Sequence, residues 1–339
     1  MILKKIVLVN IKKSMDKAQN LRIVFLGTPD FAVFCLKALV ENHFNIVGVV
    51  TNPDKKSGRG QKWLPSPVSK YAEQIGLRLL KPTHFKSSKF LQKLKSYRAE
   101  LQIVIAFKVL PAEVWDMPPL GTINLHPSYL PEYRGAAPIH WAIINGEKKT
   151  GVTIILLQKS VDAGHILIRE KVDISETETA GELQKRMEIQ GIRVLMKTIN
   201  AIVEKRLNPI PQPKFLKVGM VLKKAPKISK HDCQINWSEN LDTIYNHIRG
   251  LCPTPTAWTL LQCKGSKYLT FKIYDTTKII QQHKQVPGTI VSDNKNFIHI
   301  AVKGGFINVE SMQIEGKKRL RAKEFLNGID VSQYKILSL

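Results

Sequence analysis

Apolar positions in the first half of the chain fall into short continuous runs separated by helical patterns. Arg22–Gly27 (RIVFLG) is an apolar run ending in a glycine turn, which predicts a first buried strand. A helical pattern follows over Phe31–Val40. Asn45–Thr51 (NIVGVVT) and Leu101–Ala106 (LQIVIA) predict further buried strands, with helices near Val68–Ile75 and Ser88–Leu94 between them. Thr122–Leu125 and Gly151–Leu157 continue the series. Strands alternating with helices predict an α/β fold with a parallel, doubly wound sheet. In such sheets a site lies beyond the carboxyl ends of the strands. The turn after the first strand, Gly27-Thr-Pro-Asp30, departs from GxGxxG, which argues against a dehydrogenase.

A long helix is expected over Thr179–Lys205, where Leu183, Met187, Ile192 and Met196 recur at near-helical spacing and are read as core. Leu207–Lys230, with prolines at 209, 211 and 213 and breaks at Gly219 and Pro226, reads as a linker. Ser238–Arg249 has the pattern of a short amphipathic helix. The runs LTFKIYD, GTIVS, FIHIAV and GGFINVESMQI follow, and turn residues at roughly ten-residue spacing between them predict a small β-barrel.

Composition adds little until charge is considered. The 339 residues suit two domains, and 43% apolar with 23% charged residues is the balance of a soluble globular protein. No apolar run approaches the ~20 residues of a membrane span. Four scattered cysteines (Cys35, Cys233, Cys252, Cys263) argue against a structural metal or a disulfide framework and for a cytoplasmic location. Met1–Asn20 carries five lysines around the brief apolar stretch Ile6–Val9, too short for a secretory signal. It reads as a basic, disordered tail, or as a run preceding a true start at Met15. The formal charge of +25 is spread over both halves, a field that attracts polyanions such as nucleic acid. A lysine-rich proteome would give the same excess without any partner.

Candidate chemistry gathers in Gly121–Asp162. Asn124 and His126 alternate with Ile123 and Leu125 at the end of a strand, so both point to one face, away from the core. Pro127 stops the strand there, and Asp162 follows the next apolar run in the loop SVDAG. An amide, an imidazole and a carboxylate suit acyl transfer to an amine. His126 would take the proton that the attacking nitrogen loses, and Asn124 would donate to the oxyanion. Asp162 would hold the histidine tautomer, favour its charged form, or position a relaying water. Asn-x-His alone is a weak signal, since a lone histidine after a strand is more often a structural hydrogen-bonder than a catalyst.

Longer stretches narrow the choice. FLGTPDFA (Phe25–Ala32), TNPDKKSGRGQKWLPSPV (Thr51–Val68), NLHPSYLPEYRGAAPIHWAIINGE (Asn124–Glu147), TGVTI (Thr150–Ile154), DAG (Asp162–Gly164), INWSENLDTIYNHIRGLCPTPTAW (Ile235–Trp258) and GKKRLRAKEFLNG (Gly316–Gly328) resemble the folate-dependent formyltransferases. The resemblance runs from about Leu21 to the end. It implies a Rossmann-like catalytic domain over 21–206, a linker over 207–230 and an OB-like β-barrel that holds tRNA over 231–339, after a basic extension over 1–20. It further implies 10-formyltetrahydrofolate as formyl donor and methionyl initiator tRNA as acceptor. The family's catalytic trio matches Asn124, His126 and Asp162, and its folate-contacting stretch matches Ser128, Tyr129, Leu130 and Pro131. A basic loop that reaches the acceptor end of the tRNA matches Asp54–Pro65, with Arg59 and Lys62 as the expected carriers. The formyl carrier is already activated, so no metal is expected in the transfer, nor a membrane or an obligate protein partner.

The chain departs from many relatives at Lys108, where a glycine often precedes the folate pocket, and at His165, where an acidic residue often follows DAG. Rival readings are a formyltransferase acting on a small nucleotide or sugar-nucleotide amine, a hydrolase of the formyl carrier, and a non-catalytic RNA-binding protein. The last would leave the trio without a task.

Overall fold

The computed structural model describes residues 17–57, 62–263 and 268–337. Contacts gather the chain into two compact units, each assembled from three stretches. The first comprises the residues up to Arg134 with Gly151–Val172 and Arg186–Lys223; the second comprises Gly135–Thr150, Asp173–Lys185 and the chain from Lys224 onward.

The first unit is built on a seven-stranded sheet. Its elements in chain order are β1 (Ile23–Gly27), α1 (Asp30–Glu41), β2 (Ile46–Val50), β3 (Lys55–Ser57), β4 (Lys62–Leu64), α2 (Pro67–Gln74), β5 (Leu79–Leu80), α3 (Ser88–Ser96), β6 (Leu101–Ile105), α4 (Ala112–Trp115) and β7 (Thr122–His126). Beyond the second unit's α5 (Pro138–Ile144) come β8 (Lys149–Leu156), β9 (His165–Asp173) and α6 (Ala180–Val203). The sheet order is β9-β8-β7-β6-β1-β2-β5, with β3 and β4 pairing apart as a hairpin. Every residue of β1 and β6 is buried, as expected for central strands covered on both faces. Helix starts follow local chemistry: Ser66 Oγ accepts from Ser69 N at 3.0 Å to cap α2, and Pro67 sits in its first turn. The chain lays β2 on one side of β1 and β6 on the other, so the strand order reverses there, at the switch point that favours ligand sites.

One expectation fails in part. β1, β2, β5, β6 and β7 are parallel, but β8 pairs antiparallel with β7. A parallel neighbour needs a crossover that returns the chain to the other end of the sheet. Residues 127–148 make no such return, since the register sets His126 opposite Thr153 and Ile123 opposite Leu156.

The long helix α6 has the expected extent but a different buried stripe. Leu183, Met187, Val194, Leu195 and Ile199 are buried, whereas Ile192 and Met196 are only half-buried. A stripe at 3.6-residue spacing drifts past any fixed four- or five-residue step. Gly191 lies where a Cβ would stand 2.9 Å from Leu125 Cδ1, so its small size lets the helix settle on β7.

The second unit carries α7 (Leu241–Leu251), capped by Asn240 Oδ1, which accepts from Thr243 N at 2.9 Å. Its strands are β10 (Ala257–Cys263), β11 (Tyr268–Ile280), β12 (Ile290–Ser292), β13 (Ile298–Val302), β14 (Gly305–Ile314), β15 (Leu320–Arg321) and β16 (Tyr334–Ile336), in the order β12-β13-β14-β11-β10-β16 with β15 on β14. The described pairings are antiparallel, and register shifts at Ile273–Thr276 bend the long β11–β14 ladder into an OB-like barrel. Trp237, Ile248, Ile273, Ile300, Val309 and Met312 share one apolar core. β10 and β16 lie outside the runs read from the sequence.

The stretch over Leu207–Lys230 is partly docked: Ile210 exchanges backbone hydrogen bonds with Ile166, and Gln212–Phe215 forms a 3₁₀ turn in which Gln212 is fully buried. Of the extension over 1–20, residues 1–16 lie outside the described residues, while residues 17–20 are helical and Ala18 is buried.

Candidate active site

β7 places the expected pair. Ile123 and Leu125 are buried on one face of the strand, and Asn124 and His126 occupy the other. Asn124 is half-buried, but His126 is only 4% exposed, more enclosed than a residue pointing away from the core should be. Two groups enclose it. Nε2 stands 2.9 Å from the Tyr133 carbonyl oxygen, and Nδ1 faces Asp162 Oδ1 at 3.8 Å.

Those contacts assign the tautomer. A carbonyl only accepts, so Nε2 carries the proton and donates to Tyr133. Nδ1 is then the basic nitrogen, turned toward the carboxylate. Asp162 therefore does not hold the tautomer; Tyr133 does. The 3.8 Å separation lies within ion-pair range and beyond a direct hydrogen bond.

Both partners of His126 sit on unusual backbone. Tyr133 has φ +59° and Asp162 φ +52°, and Ala106 just after β6 has φ +47°. Non-glycine residues in the left-handed region store strain and concentrate at functional sites.

Asp162 is fixed through its main chain. Gln212 Nε2 donates to the carbonyls of Asp162 and Gly164, each at 2.8 Å, and Gln212 Oε1 accepts from Arg134 Nε at 2.9 Å and Nη2 at 2.5 Å. Neither Gln212 nor Arg134 was marked by the sequence. Arg134 lies inside the matched stretch Asn124–Glu147, yet an arginine on a two-residue strand has no spacing signal. Gln212 is hidden among prolines in what reads as a linker.

The Ser128–Pro131 stretch is clamped from below. Thr153 Oγ1 donates to Ser128 O at 2.7 Å and accepts from Leu130 N at 3.1 Å; Ser128 Oγ donates to Glu132 O at 2.7 Å. Arg169 Nη1 donates to Leu130 O at 2.6 Å, and its guanidinium lies 4.2 Å from the Tyr129 ring centre and 3.7 Å from that of Phe215. Ser128, Leu130 and Pro131 are buried, and Tyr129 is half-buried. Among these four side chains, Tyr129 presents the most accessible face.

The other expected positions are dispersed. Arg59 lies outside the described residues. Lys62 is exposed on β4 beside Trp63, which is 66% exposed and has Lys56 Nζ 5.7 Å from its ring centre. Lys108 is exposed. His165 is half-buried with Nε2 3.1 Å from the Gln158 amide nitrogen. Among the described residues, no group of three or more His, Cys, Asp and Glu side chains is placed to hold a metal ion. No helix among them is long and apolar enough to cross a membrane.

Comparison with known proteins identifies the family. Residues 21–199 match the formyl transferase family model, and residues 227–330 match that of the formyl transferase C-terminal domain. The methionyl-tRNA formyltransferase of Bacteroides fragilis is 44% identical over 317 residues, covering 94% of this chain and 98% of that protein. That of Porphyromonas gingivalis is 45% identical over 319 residues, covering 93% and 98%. The chain belongs to the methionyl-tRNA formyltransferase family. Solved structures repeat the fold at low identity. HypX from Aquifex aeolicus in complex with tetrahydrofolic acid superposes with a TM-score of 0.60 at 17% identity, covering 91% of this chain and 47% of that one. WlaRD, a sugar 3N-formyl transferase, gives 0.59 at 18% identity, covering 88% and 99%.

Proposed function

We propose that Asn124, His126 and Asp162 transfer the formyl group of 10-formyltetrahydrofolate to the α-amino group of methionyl initiator tRNA. The observation that carries this reading is His126 held by Tyr133 with its basic nitrogen turned to Asp162, two residues along the same strand face from Asn124.

The acceptor nitrogen attacks the formyl carbon and a C–N bond forms. Its proton passes to His126 Nδ1, and Asp162 stabilises the imidazolium that results. The Asn124 side-chain amide donates to the oxygen of the tetrahedral intermediate. Collapse breaks the bond from the formyl carbon to N10 of the folate, and the proton held by His126 goes to that nitrogen. Tetrahydrofolate and formylmethionyl-tRNA leave.

Ser128–Pro131 forms a preset wall for the folate, with Tyr129 as the side chain offered to it. The acceptor end of the tRNA meets the β3–β4 hairpin through Arg59 and Lys62, and the barrel over 231–339 holds the tRNA body by phosphate contacts. Four free cysteines, three of them buried, suit the reducing cytoplasm.

The test is formyl transfer from labelled 10-formyltetrahydrofolate with methionyl initiator tRNA, uncharged tRNA, glycinamide ribonucleotide and water as competing acceptors. Label on the charged tRNA alone supports the reading. Label on the small amine, or release to water, overturns the acceptor assignment.

A further inference from the structure

Tyr133 and Arg134 are neighbours in the chain, and this adjacency closes a ring of contacts around the imidazole. His126 donates to the Tyr133 carbonyl; the Arg134 side chain grips Gln212; Gln212 holds the Asp162 carbonyl; and the Asp162 carboxylate faces His126. We infer that Arg134 and Gln212 form a strut that sets the distance between the two partners of His126, and are positioning residues for the transfer. The inference rests on the role proposed for Asp162.

Three features support a positioning task over general packing. Gln212 is fully buried in a segment that is otherwise mostly half-buried or exposed, so its amide is desolvated for these contacts alone. Every contact described for that amide goes to the ring: Nε2 divides between two carbonyls of the Asp162 loop, and Oε1 takes both Arg134 hydrogens. Asp162 also has a left-handed backbone, which persists only where the surroundings over-determine it. Without the strut the loop loses the two hydrogen bonds that Gln212 supplies to it, and a misplacement of about 1 Å at a catalytic group lowers turnover on the order of 100-fold.

The experiment compares Gln212→Met, which keeps the volume and removes both hydrogen-bonding ends, with Asp162→Asn and the double variant. Expected for Gln212→Met is a fall in kcat of about 10–100-fold, with KM for both substrates within about twofold, since it removes no ground-state contact. In the Asp162→Asn background the same change should lower kcat by less than about threefold, because the group being positioned has already lost its charge. Arg134→Met, at a half-buried position, provides the second route should Gln212→Met fold poorly. Arg134→Lys, which keeps one donor, should recover part of the loss.

Nitrogen NMR shifts of the His126 ring give a readout independent of turnover. In Gln212→Met they should move toward those of Asp162→Asn. Equal losses in both backgrounds, a changed KM with intact kcat, or unchanged ring shifts would overturn the strut. Moved ring shifts in an enzyme that formylates no tRNA would uphold the strut and remove the functional reading beneath it.

Discussion

His126 Nδ1 faces Asp162 Oδ1 across 3.8 Å, while the opposite ring nitrogen donates to the Tyr133 carbonyl at 2.9 Å. The imidazole is thus fixed at one end by a neutral acceptor and open at the other toward a negative charge. A carbonyl cannot take over a proton, so traffic through the ring runs by way of Nδ1. The carboxylate stands on that side, and in the mechanism proposed above it acts by stabilising the imidazolium and not by orienting the ring.

Asp162→Asn separates charge from shape at this point. The amide fills the same space, and Tyr133 still holds the tautomer, so the fold and the acceptor affinity should be retained. Turnover should fall by about 10²–10³-fold, in the range expected for one group acting on a charged transition state. Single-turnover kinetics beside tRNA filter binding checks this. Turnover within a few-fold of the parent would remove the carboxylate from the mechanism.

Asn124 has a distinct signature, because a donor to an oxyanion acts only when the oxyanion forms. Asn124→Ala should lower kcat by roughly 10²–10³-fold while leaving KM for both substrates near the parent value. Asn124→Asp keeps the size but turns a donor into a negative acceptor, and should be at least as slow. A rise in KM with normal kcat in either variant would make Asn124 a ground-state binding residue.

Much of this site was legible because it lies on one strand. Ile123 and Leu125 announce the buried face by their period, Asn124 and His126 must then share the other, and Pro127 ends the strand beside them. The antiparallel turn of β8 was not legible, since an apolar run gives no direction and residues 127–148 carry no sign of which end they return to. Gln212 was hidden for a similar reason. Its importance comes from burial against carbonyls about fifty residues away, whereas its neighbours Pro211 and Pro213 report only that the chain is neither helix nor strand. The spacing finds Leu183 and Met187 in the core, but helical drift carries the buried stripe past Ile192 and Met196 to Val194, Leu195 and Ile199.

The second unit should weaken in mild acid. Burial pushes the imidazoles of His140 and His247 below the ordinary histidine value. His140 Nδ1 donates to Gly250 O at 2.8 Å, and His247 Nε2 is buried with no hydrogen-bond partner among the described residues. Protonating Nε2 of His247 would leave an unpaired N–H in the interior. Since both folded values are depressed, the unfolded chain takes up protons first. Stability is complete above about pH 6.5 and is lost as pH falls through the folded values. Urea melts between about pH 7.5 and 5 should show a falling midpoint, and His247→Gln, which does not titrate, should flatten that fall. A parent midpoint independent of pH in this window would contradict the assignment.

Lys62 allows the tRNA contact to be tested without touching catalysis. It is exposed on a short hairpin next to Trp63, itself 66% exposed. A lysine on a phosphate acts mainly by releasing counterions, so its signature is a change in salt dependence. Lys62→Ala should weaken methionyl-tRNA binding and reduce the slope of log affinity against log salt by about 0.7–0.9, the share of a single phosphate contact. Turnover at saturating tRNA should stay within about twofold, because Lys62 is not among the groups proposed to act on the formyl carbon. Binding measured from about 50 to 200 mM salt decides the matter. A uniform loss of affinity with an unchanged slope would mean that Lys62 supports the hairpin's shape, leaving the phosphate contact to other residues. A lower kcat at saturation with unaltered binding would instead place the hairpin's influence on the delivery of the amine to His126.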